Sequence, residues 1–386
     1  MSEHRQARPP HANGGRLLEQ LAREDAGTDA DLPAGQDREA MTERFRKAVA
    51  TLGQMRFPGT NGGTRSVDEL PWYVLIGAPG SGESASLLSS GLRFPLLDTD
   101  GETRIAGVGA TRDCSWWFTE EAVFLDTAGR YPVGKGPART TVASWHGFLE
   151  LLKRYRPQQP LNGVIVTLSV TDLMLWSKKE RYYFAGHLRM RLAELYAGLD
   201  ARFPVYLLVT KMDLLAGFAE FFANLDANES AQVWGTTFEL TADPAATARH
   251  YPEDFAALER RLYGVLVERL HQEQDLRRRA TIYSLPQQFH ALGPLLEEFL
   301  TLAFAARVND HAPMLRGVYF TSGIQGGTPI DRVMATLAPH FGLERAEAAP
   351  AGAPSRSYFV TRLLRDVIFA EAGLVVVEEP AGEGSR

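Results

Sequence analysis

Cysteine is almost missing from this chain. Cys114 is the only one in 386 residues, so no disulfide can form within it, and a reducing, cytoplasmic compartment fits best. Long apolar runs are missing too. None approaches the ~20 residues that a membrane helix needs, and the opening MSEHRQARPPHANGG has no apolar signal core. Nor is there an excess of basic charge. The 41 Lys and Arg face 47 Asp and Glu, a net charge of -6, which removes the electrostatic case for nucleic acid. The short run Arg277-Arg278-Arg279 has Glu273 and Asp275 beside it and reads as a solvated helix face. Nine histidines are scattered without H-E-x-x-H or Cys/His spacing, so no metal site built from protein ligands is expected. No G-x-S-x-G elbow occurs, which argues against a hydrolase of that class.

What is present is an ordinary globular balance, 45% hydrophobic and 23% charged, on a chain long enough for two or three domains. Residues 1–37 are rich in Arg, Pro, Gly, Asp and Ala and read as a flexible N-terminal segment. Residues 38–66 read as a helix and linker: Met41, Phe45, Val49 and Leu52 share one helical side from Arg38 to Met55, and Pro58 to Gly63 breaks the chain. From 67 to 213 short apolar runs alternate with helical stretches. Strands are expected at Trp72 to Ile76, Ser115 to Phe118, Ala122 to Leu125, Gly163 to Leu168 and Val205 to Val209. Helices are expected from Ala85, over Trp145 to Tyr155 and over Arg181 to Leu199.

Residues 214–310 lose the strand signal and read as a helical insertion, with helices at Pro252 to Gln274 and Leu292 to Val308. A last strand at Leu315 to Phe320 and a helix at Asp331 to His340 fill 311–347. Residues 348–386 are a linker, a helix over Tyr358 to Ala372 and a tail. On that helix Phe359, Leu363, Leu364 and Ile368 are placed to dock on this chain or on a partner. Alternation of this kind argues for an α/β fold, a mostly parallel sheet with helices on both faces plus a helical extension.

The chemistry-bearing stretch follows the first of those strands. Gly77-Ala78-Pro79-Gly80-Ser81-Gly82-Glu83-Ser84 has the spacing of a phosphate-binding P-loop, G-x-x-x-x-G-K-[ST], except that Glu83 stands where the lysine should. In such a loop successive N–H groups converge on phosphates at a helix N-terminus, and the Ser or Thr hydroxyl binds Mg²⁺. Two further motifs stand in order at strand ends. Asp126-Thr127-Ala128-Gly129 places Asp126 to reach Mg²⁺ and the Gly129 N–H to reach a γ-phosphate. Thr111 is placed to complete the Mg²⁺ shell with Ser84. Thr210-Lys211-Met212-Asp213 is one residue from the guanine signature N-K-x-D: Asp213 would accept from guanine N1–H and N2–H₂, and the Lys211 stem would cover the ring. The order is that of a P-loop, small-GTPase-like (Ras/Arf-like) fold, with ligands at the carboxyl ends of the strands. Arg130 stands where such enzymes carry the glutamine that orients water.

Glu83 turns an attraction into a repulsion. The sequence therefore reads as a chain that binds Mg²⁺ with GTP or ATP weakly or not at all, and no catalytic residue is assigned.

The runs PWYVLIGAPGSGES, GVGATRDCSWWFTEEAVFLDTAGRY, RPQQPLNGVIVTLSVTDL, RFPVYLLVTKMDLLAGFAEFF, LRGVYFTSGIQGGTPIDR and FVTRLLRDVIFAEAGL strongly resemble the IcmF/TssM family of type VI secretion systems, over about 70 to 372. The resemblance implies the cytoplasmic, GTPase-like segment of a bacterial inner-membrane protein. Its implied partners are TssL and the baseplate subunits TssK and TssG, with TssJ reached only through a periplasmic region that this chain lacks. It also implies that Gly77 to Ser84, Asp126 to Gly129 and Thr210 to Asp213 are the nucleotide positions. Two functions follow as expectations: a scaffold that docks secretion subunits on a degenerate P-loop fold, or a GTPase or ATPase that energises assembly. Thr321-Ser322-Gly323 sits where the last base-contacting loop of a small GTPase would be.

Overall fold

The computed structural model describes residues 57–58, 64–66, 69–78, 80–94, 115–126, 139–240, 244–306, 312–324 and 356–377. The helices expected over Arg38 to Met55 and Asp331 to His340, and the linker at 348–354, lie outside the described residues.

A seven-stranded sheet forms the centre. Its strands are β1 (Trp72–Gly77), β2 (Ser115–Phe118), β3 (Val123–Asp126), β4 (Gly163–Ser169), β5 (Pro204–Thr210), β6 (Gly235–Thr237) and β7 (Met314–Phe320). Their spatial order is β2-β3-β1-β4-β5-β7-β6. Pairing is parallel from β3 to β7 and antiparallel at both edges, β2 on β3 and β6 on β7. Six strands in this order, with the second in sequence turned antiparallel at one edge, make a small-GTPase-like sheet.

The central strands are apolar throughout because both faces are covered. Alternation sorts their side chains. Trp72, Val74, Ile76, Val164, Val166, Val205 and Leu207 enter one core, and Tyr73, Leu75, Phe124, Ile165, Tyr206 and Leu208 enter the other. The first core is closed by four helices: α2 (Arg139–Tyr155), α4 (Lys178–Leu199), α5 (Pro244–Gln272) and α6 (Leu276–Phe304). The short helices α1 (Glu83–Leu88) and α3 (Val170–Leu175) follow β1 and β4 directly. Leu87 of α1 and the C-terminal segment close the second core.

Local chemistry sets the helix ends. Ser177 and Glu180 form a reciprocal capping box at the start of α4, and Asp200 ends it in the left-handed region with φ 47°. Asp275 accepts from the Arg277 and Arg278 amides to start α6, three residues after α5 ends. Gly217 has φ 87°, and a Cβ there would lie 2.1 Å from the Thr281 carbonyl oxygen, so glycine lets this turn press on the α6 backbone.

The helical insertion departs from the sequence reading in three ways. Its second helix begins at Leu276 rather than Leu292, with Pro286 and Pro294 inside it. The apolar spacing runs on through Ile282, Leu285, Phe289, Leu292, Leu296 and Phe299, all buried. Its first helix begins at Pro244, before Pro252. It also contains β6, a three-residue edge strand without apolar alternation, where Gly235 lets β7 approach closely. Nor does the insertion stand apart, since Phe255, Phe289 and Phe299 share one core with the sheet.

Arg181 of α4, itself buried, donates from Nε and Nη2 to Glu298 of α6 at 3.1 and 2.9 Å, and Lys178 reaches the same carboxylate at 3.1 Å. The hydrogen bond from Arg181 chiefly holds the Glu298 carboxyl below the ordinary value. A lowered folded value means a contribution that is complete above the ordinary pKa of 4.5 and disappears as pH falls through the folded value. Glu298→Ala is expected to cost about 2 kcal/mol at neutral pH. Urea melts at stepped pH would show the gap between variant and parent closing on the acid side, and a gap that widened there would refute the linkage.

The C-terminal segment is the other correction. Tyr358 is not helical: Arg356–Tyr358 (β9) pairs antiparallel with Ser322–Ile324 (β8), and Phe359 turns the chain at φ 64°. A helix follows, but its turns over Leu363–Ile368 are wide, and the Phe369 N–H bonds to Leu364 five residues back. Of the two docking options, the chain itself takes this segment. Leu363, Leu364 and Ile368 are buried in the second core, and Phe369 stacks on Tyr73 at 5.7 Å. Arg365 pairs with Glu121 in the β2–β3 turn.

Candidate functional site

The site lies along the carboxyl edge of β1, β3, β4, β5 and β7. From β1 the chain passes Gly77 and Ala78, bends back with the Ser81 N–H on the Ala78 carbonyl at 2.9 Å, and enters α1 at Glu83. Gly80 and Gly82 sit at φ 77° and 88°, conformations that a side chain would strain. The Ser86 N–H then closes the first helical bond on the Gly82 carbonyl at 2.8 Å. This is the backbone course of a phosphate cradle. Glu83 and Ser84 open α1, and their side chains lie outside the described residues, as do Pro79, Thr111, Gly129 and Arg130.

Neighbouring strand ends hold the loop in place. Ser81 is fully buried, with its Oγ 2.7 Å from Thr167 Oγ1 near the end of β4. Thr210, at the end of β5, donates its hydroxyl to the Ser81 carbonyl. Lys211 follows in the left-handed region, φ 58°, and its Cε lies 3.4 Å from where a Cβ on Gly82 would be. The aliphatic stem of Lys211 therefore runs along the P-loop. Asp126 ends β3, is 5% exposed, and pairs in register with Leu75 of β1. The structure thus brings together Gly77, Ala78, Gly80, Ser81, Gly82, Thr210, Lys211 and Asp213, with Asp126 two strands from β4.

The base end is assembled by contacts that a linear reading gave loosely or not at all. The Met212 N–H bonds to the Thr321 carbonyl at 3.2 Å, and the Thr321 N–H to Val209 at 2.8 Å. Ser322 donates its hydroxyl to Asp213 Oδ1. Asp213 is 6% exposed, so the bond fixes a carboxylate in a nearly dry position. Thr321 Oγ1 is buried with no hydrogen-bond partner among the described residues. Thr167 was missed in the sequence. The one signal for it was a hydroxyl residue near the carboxyl end of an otherwise apolar strand.

A nucleoside triphosphate fits this site in part. The loop backbone, the Lys211 stem, the fixed Asp213 and the orphaned Thr321 hydroxyl suit a phosphate and a purine. The residue at the lysine position does not, because its ionised form repels a polyphosphate. No catalytic step is derived through such a ligand. Among the described residues no group of three or more His, Cys, Asp or Glu is placed to hold a metal ion.

With the strand-end site in view, comparison with known proteins decides the family. The family model for the IcmF-related N-terminal domain matches residues 139–382, more than half of the chain. The chain belongs to the IcmF-related family. Its sequence is 45% identical over 360 residues to the type VI secretion system component TssM1 of Pseudomonas aeruginosa, a match covering 93% of this chain and 32% of that relative. The chain thus spans about a third of the relative's length. A solved complex of the signal recognition particle receptor, SRb-GTP/SRX from Chaetomium thermophilum, is similar at 18% identity and a TM-score of 0.25, covering 70% of this chain and 98% of that one. No described helix is long and apolar enough to cross a membrane.

Proposed function

We propose that this chain is a docking segment of a type VI secretion component, built on a GTPase-like fold whose phosphate cradle no longer serves tight nucleotide binding. One observation carries the reading: the loop keeps its backbone course and its neighbours, yet the residue opening α1 is Glu83. The family and the relative at 45% identity support the secretion context. Partners follow as part of the proposal. TssL and the baseplate subunits TssK and TssG meet this segment at the cytoplasmic face of the inner membrane, and TssJ meets only regions outside it.

The rival reading, an active GTPase or ATPase, draws support from the base end, where Ser322 fixes Asp213 and the Thr321 hydroxyl is left over. Two experiments separate the readings. Calorimetry with Mg²⁺ and GTP or ATP is expected to give no binding in the micromolar range. Pull-downs with TssL, TssK and TssG are expected to capture the chain without nucleotide. Deleting 214–310 would remove core residues and β6, so the contact is better mapped by surface changes. Tyr263→Glu, Val267→Glu and Tyr283→Glu replace exposed residues of α5 and α6 and should weaken capture while leaving the melting temperature near that of the parent. Capture that depends on added GTP would favour the rival.

A further inference from the structure

Helix α4 presents an uncharged outward stripe. Between Tyr182 and Ala197 its exposed positions are Tyr182, Tyr183, Gly186, Met190, Ala193 and Ala197, and none carries charge. At 3.6 residues per turn these positions share one side of the helix. Tyr182 is 56% exposed, and Tyr183 and Met190 are 42% exposed. A Cβ added at Gly186 would meet nothing within 4 Å, so that part of the stripe is open. Glu194, at its margin, is engaged by Arg191 at 2.6 Å. An uncharged helical side bearing two tyrosines and a methionine is built to be covered.

The order of residues along the stripe says by what. Tyr182 and Tyr183 stand at its N-terminal end, Ala193 and Ala197 in its C-terminal half, and Gly186 and Met190 between them. Tyr182 and Ala197, Gly186 and Ala193, and Lys179 and Asp200 are each placed symmetrically about one point, between Arg189 and Met190. Lys179 is exposed at the amino end, its ammonium 5.7 Å over the Tyr183 ring. Asp200 is exposed at the carboxyl end, where it bridges to Lys153. Two copies of α4 laid antiparallel across a two-fold axis therefore set Tyr182 against Ala197, the small Gly186 against the small Ala193 where the backbones approach, and Lys179 against Asp200. Met190 falls beside the axis, and the helix dipoles oppose favourably.

We propose that α4 is a self-association face, on which a second copy of this chain docks antiparallel through Tyr182, Gly186, Met190, Ala193 and Ala197. One helix pair falls short of the roughly 1,200 Å² of a stable interface, so the dimer of this segment alone is weak.

The test uses the full 386-residue chain with Cys114→Ser, which removes the native thiol. Met190→Cys is expected to cross-link to its own copy under mild oxidation. Ala197→Cys alone is not, but a mixture of Ala197→Cys with Tyr182→Cys is. Sedimentation equilibrium is expected to show a concentration-dependent dimer that Ala193→Glu weakens at least tenfold, with the thermal melt unchanged. Cross-linking of Ala197→Cys to itself would mean a parallel arrangement and overturn the proposal. A monomer at every concentration, with no Met190→Cys cross-link, would also overturn it and assign the stripe to a different protein.

Discussion

Replacing Glu83 with lysine is expected to raise the affinity of this chain for Mg²⁺·GTP by about a hundredfold or more. Two unit charges about 4 Å apart at an effective dielectric near 20 interact by about 4 kcal/mol. The substitution removes one repulsion and adds one attraction. Even after generous discount for solvent and side-chain freedom, about 3 kcal/mol remains, or two decades of affinity. The fold should tolerate the change. Glu83 is the first residue of α1, where an acid gains only about 0.3–1 kcal/mol from the helix dipole, so a lysine shifts the melt slightly. The rest of the cradle is expected to stay in place, because Thr167 and Thr210 hold Ser81. Calorimetry of parent and variant measures the gain. Adding Asp213→Ala to the lysine variant should then abolish any preference for GTP over ATP, because in the proposed reading Asp213 is the group that would distinguish the bases. If Glu83→Lys gives no gain, the loop is closed for a reason other than charge.

The sheet was legible because its central strands are buried on both faces and so appear as unbroken apolar runs. Trp72 to Ile76 and Val205 to Val209 could be placed to within a residue. The elements misread are those where tertiary packing overrides local preference. The sequence reading begins this helix at Leu292, yet α6 starts at Leu276 and runs through Pro286 and Pro294 because the aromatic core around Phe289 and Phe299 holds it. Three residues of β6 carry no periodicity to detect, and their pairing depends on β7, about eighty residues away. In the C-terminal segment Phe359 adopts a positive φ that no propensity favours, fixed by the bond from its N–H to Ser230. The candidate site divides in the same way. Glycine spacing and strand-end acids mark the loops in the sequence, whereas Thr167 against Ser81 and Ser322 against Asp213 are juxtapositions that only the fold creates.

Glu371→Ala is expected to cost about 3–5 kcal/mol and to release the C-terminal segment from the sheet. The reason begins in β7, whose pairing with β5 slips between Leu315 and Gly317 and leaves Arg316 at a bulge. Arg316 donates to Glu371 from Nε at 3.0 Å and from Nη2 at 2.5 Å, and Nη1 donates to the Phe238 carbonyl. Tyr206 adds a hydroxyl bond to the same carboxylate at 2.9 Å. One acid from the C-terminal segment thus ties β5, β7 and the chain after β6 together, beneath the wide-turned helix whose Ile368 carbonyl accepts from Tyr73. The arginine side chain is 8% exposed, so removing its partner strands a charge in a nearly dry place. Burial also pushes the Tyr206 hydroxyl far above its ordinary value and the Tyr319 hydroxyl up to about 12, so neither can ionise to replace the lost carboxylate near neutral pH. The double variant Arg316→Met, Glu371→Leu should recover most of the loss, because apolar groups of similar size remove the stranded charge. Urea unfolding of the three variants, with amide exchange followed over Leu363 to Ile368, measures both effects. A double variant as unstable as the single one would show that the pair's worth lies in its geometry and not in mutual neutralisation. Faster exchange confined to that helix in Glu371→Ala would locate the release where the contacts place it.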